Sequence, residues 1–212
     1  NGEFIRGTTA KEAQKVCFKN NDHCKEKWFE DEEPLHSVKL SSYHLDIHEV
    51  IQKYYQRLMG KNPSKFKGSN LPVESVTWYE AMEYCKKTGK RLPTEAEWEW
   101  AARGGNQLTF AWGNEAKSHR ANFCDRSCDK RWKEKQFEDG YSHTAPVGSF
   151  PTNDFGLYDM AGNVYEWVLD WYDKDYYEKK PYDNPKGPEK GNRKVIRGGS
   201  WINYSVGVRP LG

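Results

Sequence analysis

Two short capped helices in close succession, ahead of a long stretch with neither helical nor steady alternating periodicity, constrain this chain most. In "TWYEAMEYCKKTG", Thr77 and Glu80 form a capping box and Gly89 supplies a stop. Trp78, Ala81, Met82 and Cys85 recur at helical spacing, which predicts a core-facing stripe. "PTEAEWEWAARGG" repeats the design with Thr94, Glu97 and the exit Gly104-Gly105, and its early glutamates suit the positive end of a helix dipole. Beyond Arg103 the helical period stops. The rest of the chain is rich in Gly, Asn, Asp and aromatic residues with short apolar pieces, which predicts loops pinned by tryptophans and a few strands. That division argues against a helical bundle and against a doubly wound sheet.

The first part of the chain adds shorter elements. "GEFIRGT" reads as a strand and turn, and Thr8 to Glu33 as a short helix carrying Cys17 with a loop to Trp28. "HSVKLSSYHLDIHEV" alternates and is β-branched, so strands are expected from His36 to about His48. "EVIQKYYQRLMG" is a helix stopped by Gly60, ahead of the turn "KNPS". At the other end, "RGGSWINYSVGVRPLG" reads as a tight glycine turn into a buried Trp201, then a terminal strand in "VGVRP".

Composition decides between order and disorder. A mean hydropathy of −1.03 would suit a disordered chain, but nine Trp, thirteen Tyr and nine Phe offer large areas to bury. A length of 212 residues suffices for a core, and one domain over 1–212 is the simplest organisation. The 33 basic and 31 acidic residues leave a net charge of +2, which argues against nucleic acid as a partner. No apolar run is long enough to span a bilayer, and no signal-peptide pattern opens the chain. Because it begins at Asn1, a leader or upstream domain is expected to have been removed. A monomer, or part of a larger polypeptide, is the expected state.

The cysteines fall as Cys17/Cys24, Cys85 and Cys124/Cys128. Two short-loop disulfides with one buried thiol fit that pattern and would place the protein in an extracytoplasmic, oxidising compartment. Free thiols are the second reading, and zinc at Cys124-x3-Cys128, with no matching second pair nearby, the third.

Long loops must satisfy their buried carbonyls, and a hard cation can do so while also taking carboxylate oxygens. In "YDMAGNVYEW", Asp159 and Glu166 flank Gly162 and Val164, whose carbonyls could turn inward. In "ANFCDRSCDKRWKEKQFEDGY", Asn122 and Asp139 could converge with the carbonyls of Phe123 and Tyr141. Oxygen-only ligation points to calcium. The competing reading makes Asp159 an Asx turn and Glu166 a solvated or Arg-paired carboxylate. His44, Asp46 and His48 have an iron-site composition, but three ligands from one flat strand converge poorly, so a structural or surface role is expected. Ser200 lacks a hydrolase elbow, and there is no phosphate loop or dinucleotide fingerprint. No catalytic residue is assigned.

"LPVESVTWYEAMEYCKKTGKRLPTEAEWEWAARGG", "APVGSFPTNDFGLYDMAGNVYEWVLDWY" and "VIRGGSW" resemble the formylglycine-generating enzyme family, the sulfatase-modifying-factor domain. "GEFIRGT", "DEEPLHSVKLSSYHLDIHEV" and "AWGN" fit as well, so the resemblance covers nearly the whole chain. It implies an α+β, C-type-lectin-like fold with little regular structure, two helices packing on a small twisted antiparallel sheet. It also implies two calcium sites, one at Asn122, Phe123, Asp139 and Tyr141, the other at Asp159, Gly162, Val164 and Glu166. Some members have Asn at the position of Asp159, so this chain brings an added charge.

In the oxidase members, the segment after "GGS" carries a cysteine pair that binds copper(I) and returns through a Gly-Phe-Arg strand. Here Gly207-Val208-Arg209 resembles that strand, the intervening segment is absent, and no cysteine lies beyond Cys128. Thiolates are what copper(I) needs. The resemblance therefore predicts a non-catalytic recognition module for a protein or small-molecule ligand, of the kind seen in retroelement-diversified bacterial variable proteins. Its binding surface would lie just after the glycine turn, at Trp201, Asn203 and Tyr204. The alternative is a copper-dependent formylglycine-generating oxidase whose cysteine loop is missing from the sequence. A third is a domain that shapes a substrate pocket for a non-haem-iron partner domain.

Overall fold

The chain is organised around its second capped helix. A computed structural model describes residues 2–19 and 24–211, so the portion of the Thr8–Glu33 expectation at residues 20–23 lies outside the described residues, as do Asn1 and Gly212. Among the described residues the fold is α+β, with helices α1 (Ala10–Phe18), α2 (Gln52–Met59), α3 (Trp78–Lys87) and α4 (Glu95–Arg103). The strands are β1 (Gly2–Arg6), β2 (His36–Leu40), β3 (Glu166–Trp171) and β4 (Lys194–Arg197), and single 3-10 turns punctuate the loops.

Helix α4 starts where the capping box requires. Thr94 Oγ1 accepts the Glu97 amide at 3.2 Å, the Glu97 carboxylate accepts the Thr94 amide at 2.8 Å, and Gly104 ends the helix at φ 58°. The helix packs on all four strands, and Trp98 is wholly buried. Ala96 meets Phe4, Val38 and Leu40, while Trp98, Ala101 and Ala102 meet Met160, Val168 and Val195. Its remaining face is ionic. Arg6 reaches Glu95 at 2.5 Å and Glu99 at 3.3 Å, Arg103 bonds Glu99 at 2.9 Å, and Arg197 also meets Glu95. These charges lie at or near the interior, so removing one partner would strand another in low dielectric.

The strands form two separate two-stranded antiparallel sheets, not one. In the first, Gly2 pairs with Leu40 and Arg6 with His36; in the second, Glu166 pairs with Arg197 and Trp171 with Lys194 across an irregularity. The expected pair of helices on one sheet is thus four helices and two small sheets, with α4 between them. The strand expected to run to His48 ends at Leu40, opposite Gly2, the last described ladder partner. Residues 42–46 make no backbone–backbone hydrogen bond among the described residues.

Two further expectations are corrected. "VGVRP" is not a strand: Ser205–Val208 form a single 3-10 turn. The Ser205 amide and hydroxyl both donate to Glu134, at 3.0 and 3.1 Å, and Arg209 forks onto Glu32 at 2.8 and 3.2 Å. A Cβ at Gly199 (φ 68°) would overlap the Gly207 carbonyl oxygen, so the two backbones touch and the turn cannot straighten there. Gly207-Val208-Arg209 therefore does not act as a returning strand. Trp201, expected to be buried, is half-buried.

Helix α3 has its capping box, but none of its residues is fully buried. Its Ala81–Cys85 face borders a cavity of about 500 Å³ instead of closing on the core.

Candidate functional site

The two carboxylate loops lie side by side. Asn122 and Gly162 form a parallel bridge, the Asn163 amide donates to the Asn122 carbonyl at 2.8 Å, and a Cβ at Gly162 (φ 79°) would overlap that oxygen. Only glycine fits there. In the first loop Asn122 is fully buried, with its Nδ2 bonded to the His143 carbonyl at 2.8 Å and to Asn163 at 3.1 Å, while its Oδ1 has no partner. Asp139 accepts the Tyr141 amide at 2.7 Å and the Phe123 amide at 3.2 Å, and burial pushes its carboxyl up to about 7.

In the second loop Asp159 sits at φ 54° and accepts the Gly148 amide at 2.6 Å; its other oxygen is buried without a partner. Glu166 accepts Trp98 Nε1 at 3.0 Å, and desolvation pushes its carboxyl up to about 7. It is half-buried, borders the 500 Å³ cavity and has no arginine partner among the described residues. Sequence reasoning misses Glu49. This carboxylate is buried, holds Asn163 Nδ2 at 3.1 Å, keeps one oxygen unpartnered, and is raised well above its usual range by burial and then by Asp159 and Glu166. Nothing in "HEV" marks it, because its neighbours come from residues far away in sequence.

Orphaned buried oxygens and carboxylates without cations are what a hard cation would satisfy. Among the described residues no group of three or more His, Cys, Asp and Glu side chains is arranged to hold a metal. A cation here would draw on a mixed set: Asn122 and Asp139 in one loop, Asp159 and Glu166 in the other, completed by carbonyls.

His44, Asp46 and His48 do not share a strand face, since no strand forms there; all three border the 500 Å³ cavity, and Asp46 is paired with Lys90 at 2.6 Å. Cys85, expected as a buried thiol on a core-facing stripe, is half-buried and borders the same cavity, and burial raises its thiol pKa. Among the described residues it is the one free cysteine. Cys17–Cys24 and Cys124–Cys128 are disulfides.

The segment after the glycine turn forms a half-exposed platform. The Trp201 ring lies 4.9 Å from His143 and 5.6 Å from Phe66, with the Lys130 ammonium 5.6 Å from its centroid. Asn203 serves the segment itself: its Oδ1 accepts from Ser200 N and Oγ at 2.9 and 2.8 Å, and its Nδ2 donates to Tyr165 at 2.6 Å. Tyr204 is half-buried at the edge of the platform. No helix among the described residues is long and apolar enough to cross a membrane.

A family model described as the sulfatase-modifying factor enzyme 1-like domain matches residues 2–211. The serine/threonine-protein kinase pkn1 of Chlamydia caviae is 37% identical over 237 residues, 98% of this chain and 33% of that protein. The formylglycine-generating enzyme of Thermomonospora curvata is 42% identical over 153 residues, 70% of this chain and 50% of that protein. The chain thus spans about a third to a half of the length of these relatives. The solved structure of Treponema denticola variable protein 1 superposes with a TM-score of 0.72 at 28% identity, covering 84% of this chain and 80% of its own.

Proposed function

This chain belongs to the sulfatase-modifying factor enzyme 1-like domain family, and from that premise we propose that it is a non-catalytic recognition module. Residues 1–212 act as one domain, of C-type-lectin-like architecture, stabilised by calcium in one or both carboxylate loops. Its ligand, a protein or a small molecule, meets the platform after Trp201. Trp201 and Tyr204 supply the contact area, and Asn203 holds the segment's shape. The likeness to a variable protein supports this reading, and the two disulfides support an extracytoplasmic placement.

One observation carries the non-catalytic part. Oxygen activation at copper(I) by the oxidase route needs paired thiolates, whereas Cys85 is the single free thiol and no cysteine lies beyond Cys128. Calcium, if bound, would supply charge neutralisation to Asp139, Asp159 and Glu166 and no chemistry. The second reading, a copper-dependent formylglycine-generating oxidase, is favoured by the 42% identity to a named formylglycine-generating enzyme. It requires a cysteine-bearing loop that this sequence does not contain.

The two readings part in one assay. The chain is incubated with a sulfatase-type cysteine peptide, copper and a reductant, and the peptide is analysed by mass spectrometry. The expected outcome is unchanged peptide. Enzyme-dependent conversion of its thiol to an aldehyde would overturn the non-catalytic reading.

A further inference from the structure

The platform after the glycine turn is moored to the two carboxylate loops. Among the described residues, 198–203 make three backbone–backbone hydrogen bonds outside themselves. The Gly162 amide donates to the Gly198 carbonyl at 2.7 Å, the Trp201 amide to the Asn163 carbonyl at 3.0 Å, and the Cys124 amide to the Asn203 carbonyl at 2.8 Å. All three end on Cys124 or on Gly162-Asn163, in or beside the candidate cation ligands Phe123, Gly162 and Val164. Side chains repeat the pattern. Asn203 Nδ2 donates at 2.6 Å to the hydroxyl of Tyr165, which sits between Val164 and Glu166. The Trp201 ring lies 4.9 Å from His143, whose carbonyl accepts Asn122 Nδ2 at 2.8 Å. Two contacts come from elsewhere: Trp132 Nε1 donates to the Ile202 carbonyl at 3.3 Å, and the Phe66 ring meets Trp201.

These moorings are covalently close to the atoms an ion would take. The Phe123 carbonyl and the Cys124 amide are two ends of one planar peptide unit, so an ion that fixes the first also aims the second at Asn203. That carbonyl accepts the Asp125 amide at 2.8 Å and has a second lone pair. The Asn163 carbonyl lies between those of Gly162 and Val164 along the chain. Asn163 is itself fully buried and ties the loops together: its Oδ1 accepts Asn122 Nδ2 at 3.1 Å and the Ala145 amide at 2.8 Å, and its Nδ2 donates to Glu49 at 3.1 Å. The unsatisfied atoms sit in the same place. Asn122 Oδ1 and Asp159 Oδ1 are buried without partners, so each loop carries an unmatched acceptor where the platform is held.

We infer, on the recognition and calcium reading given above, that calcium in these loops is an effector of the platform as well as a support for the fold. Its binding orders residues 198–203 through the bonds of Cys124, Gly162 and Asn163. Whatever orders those residues tightens the ion in return, because linkage is reciprocal. The ion needs no contact with the ligand. The two states are a moored platform over filled loops and a platform that opens locally when the loops are empty.

Amide hydrogen exchange by NMR on the whole chain tests this, with calcium alone as the probe and calorimetry giving its affinity. Passing from chelator to saturating calcium should slow the Trp201 and Cys124 amides by about fivefold or more beyond any slowing at Lys39 and Gln52. Those two amides bond to the carbonyls of Tyr182 and Leu71, outside both loops. Asn203→Ala removes the bonds to Ser200 and Tyr165 and should weaken calcium binding by about fivefold, although Asn203 offers the ion no ligand. The wild-type exchange ratio stands whether or not that variant folds. Equal slowing at all four amides, or unchanged calcium affinity in a folded Asn203→Ala chain, would overturn the linkage and leave the cation sites in place. Absence of calcium binding to the wild-type chain would overturn both.

Discussion

If the carboxylate loops bind calcium as proposed, removing it should make stability depend on pH in a direction opposite to that of most paired carboxylates. Glu166 in the ion-free fold is pushed up to about 7 by desolvation, against an ordinary value of 4.5. Between those values the folded state holds a proton that the unfolded chain has released. Stability from this group is therefore fully present below about pH 4.5 and is lost as pH rises through about 7. At 1.36 kcal/mol per pH unit the loss has a ceiling of about 3 kcal/mol, and Asp139, also raised to about 7, adds a loss of the same sign. A bound calcium ion replaces the proton and removes the fall. It also adds about 2.7 kcal/mol when present at about a hundred times its dissociation constant. Urea unfolding of calcium-free and calcium-saturated protein at about pH 5 and about pH 8 measures both effects. The calcium-free protein should weaken at the higher pH while the saturated protein changes little, and Glu166→Gln should flatten the calcium-free profile. Parallel profiles with and without the ion would refute the assignment of these loops as cation sites.

Other outcomes depend on single contacts. Arg209→Met leaves the buried Glu32 carboxylate without its fork and should cost about 3–5 kcal/mol, much of it restored when Glu32→Leu is added; a loss below about 1 kcal/mol in urea titration would contradict the pairing. Alkylation without reductant should label Cys85 slowly and nothing else, because the other four cysteines are disulfide-bonded; prompt labelling at the paired positions, read by mass spectrometry, would defeat this. Asn203→Ala should cost about 1–3 kcal/mol by leaving the Ser200 donors and the Tyr165 hydroxyl unmatched, whereas Tyr204→Ala should cost about 1 kcal/mol or less. Equal thermal shifts for the two variants would argue against an internal role for Asn203.

The capped helices are legible in the sequence because their signals are local: Thr77 with Glu80, and Thr94 with Glu97, lie within one turn of each other. The strand at Gly2–Arg6 and the stop at Gly60 are legible for the same reason. The features that escape the sequence depend on distant partners. Alternation from His36 to His48 specifies a strand, but a ladder also needs a neighbour, and past Leu40 none is supplied. The periodic stripe of α3 specifies a face without saying whether core or cavity lies opposite. "VGVRP" has strand composition, yet Glu134 and Glu32 capture Ser205 and Arg209 and bend the segment into a turn. In the candidate cation loops, Asp159 and Glu166 stand out by their spacing around Gly162. Glu49 does not, since its place beside them is set entirely by tertiary packing.

The posture of the Trp201 segment rests mainly on the main chain. The Trp201 amide donates to the Asn163 carbonyl at 3.0 Å, the Cys124 amide to the Asn203 carbonyl at 2.8 Å, and the Gly207 amide to the Tyr204 carbonyl at 2.9 Å. Any amino acid except proline offers those same amides. At Ile202 and Tyr204, then, the side chain should be replaceable with little change to the backbone beneath it, whereas Trp201 also packs on His143 and Phe66. Asn203 is the exception, a fixed comma in the phrase. On the proposed recognition reading, substitution at Ile202 and Tyr204 would alter the contact surface while leaving the backbone that holds it in place.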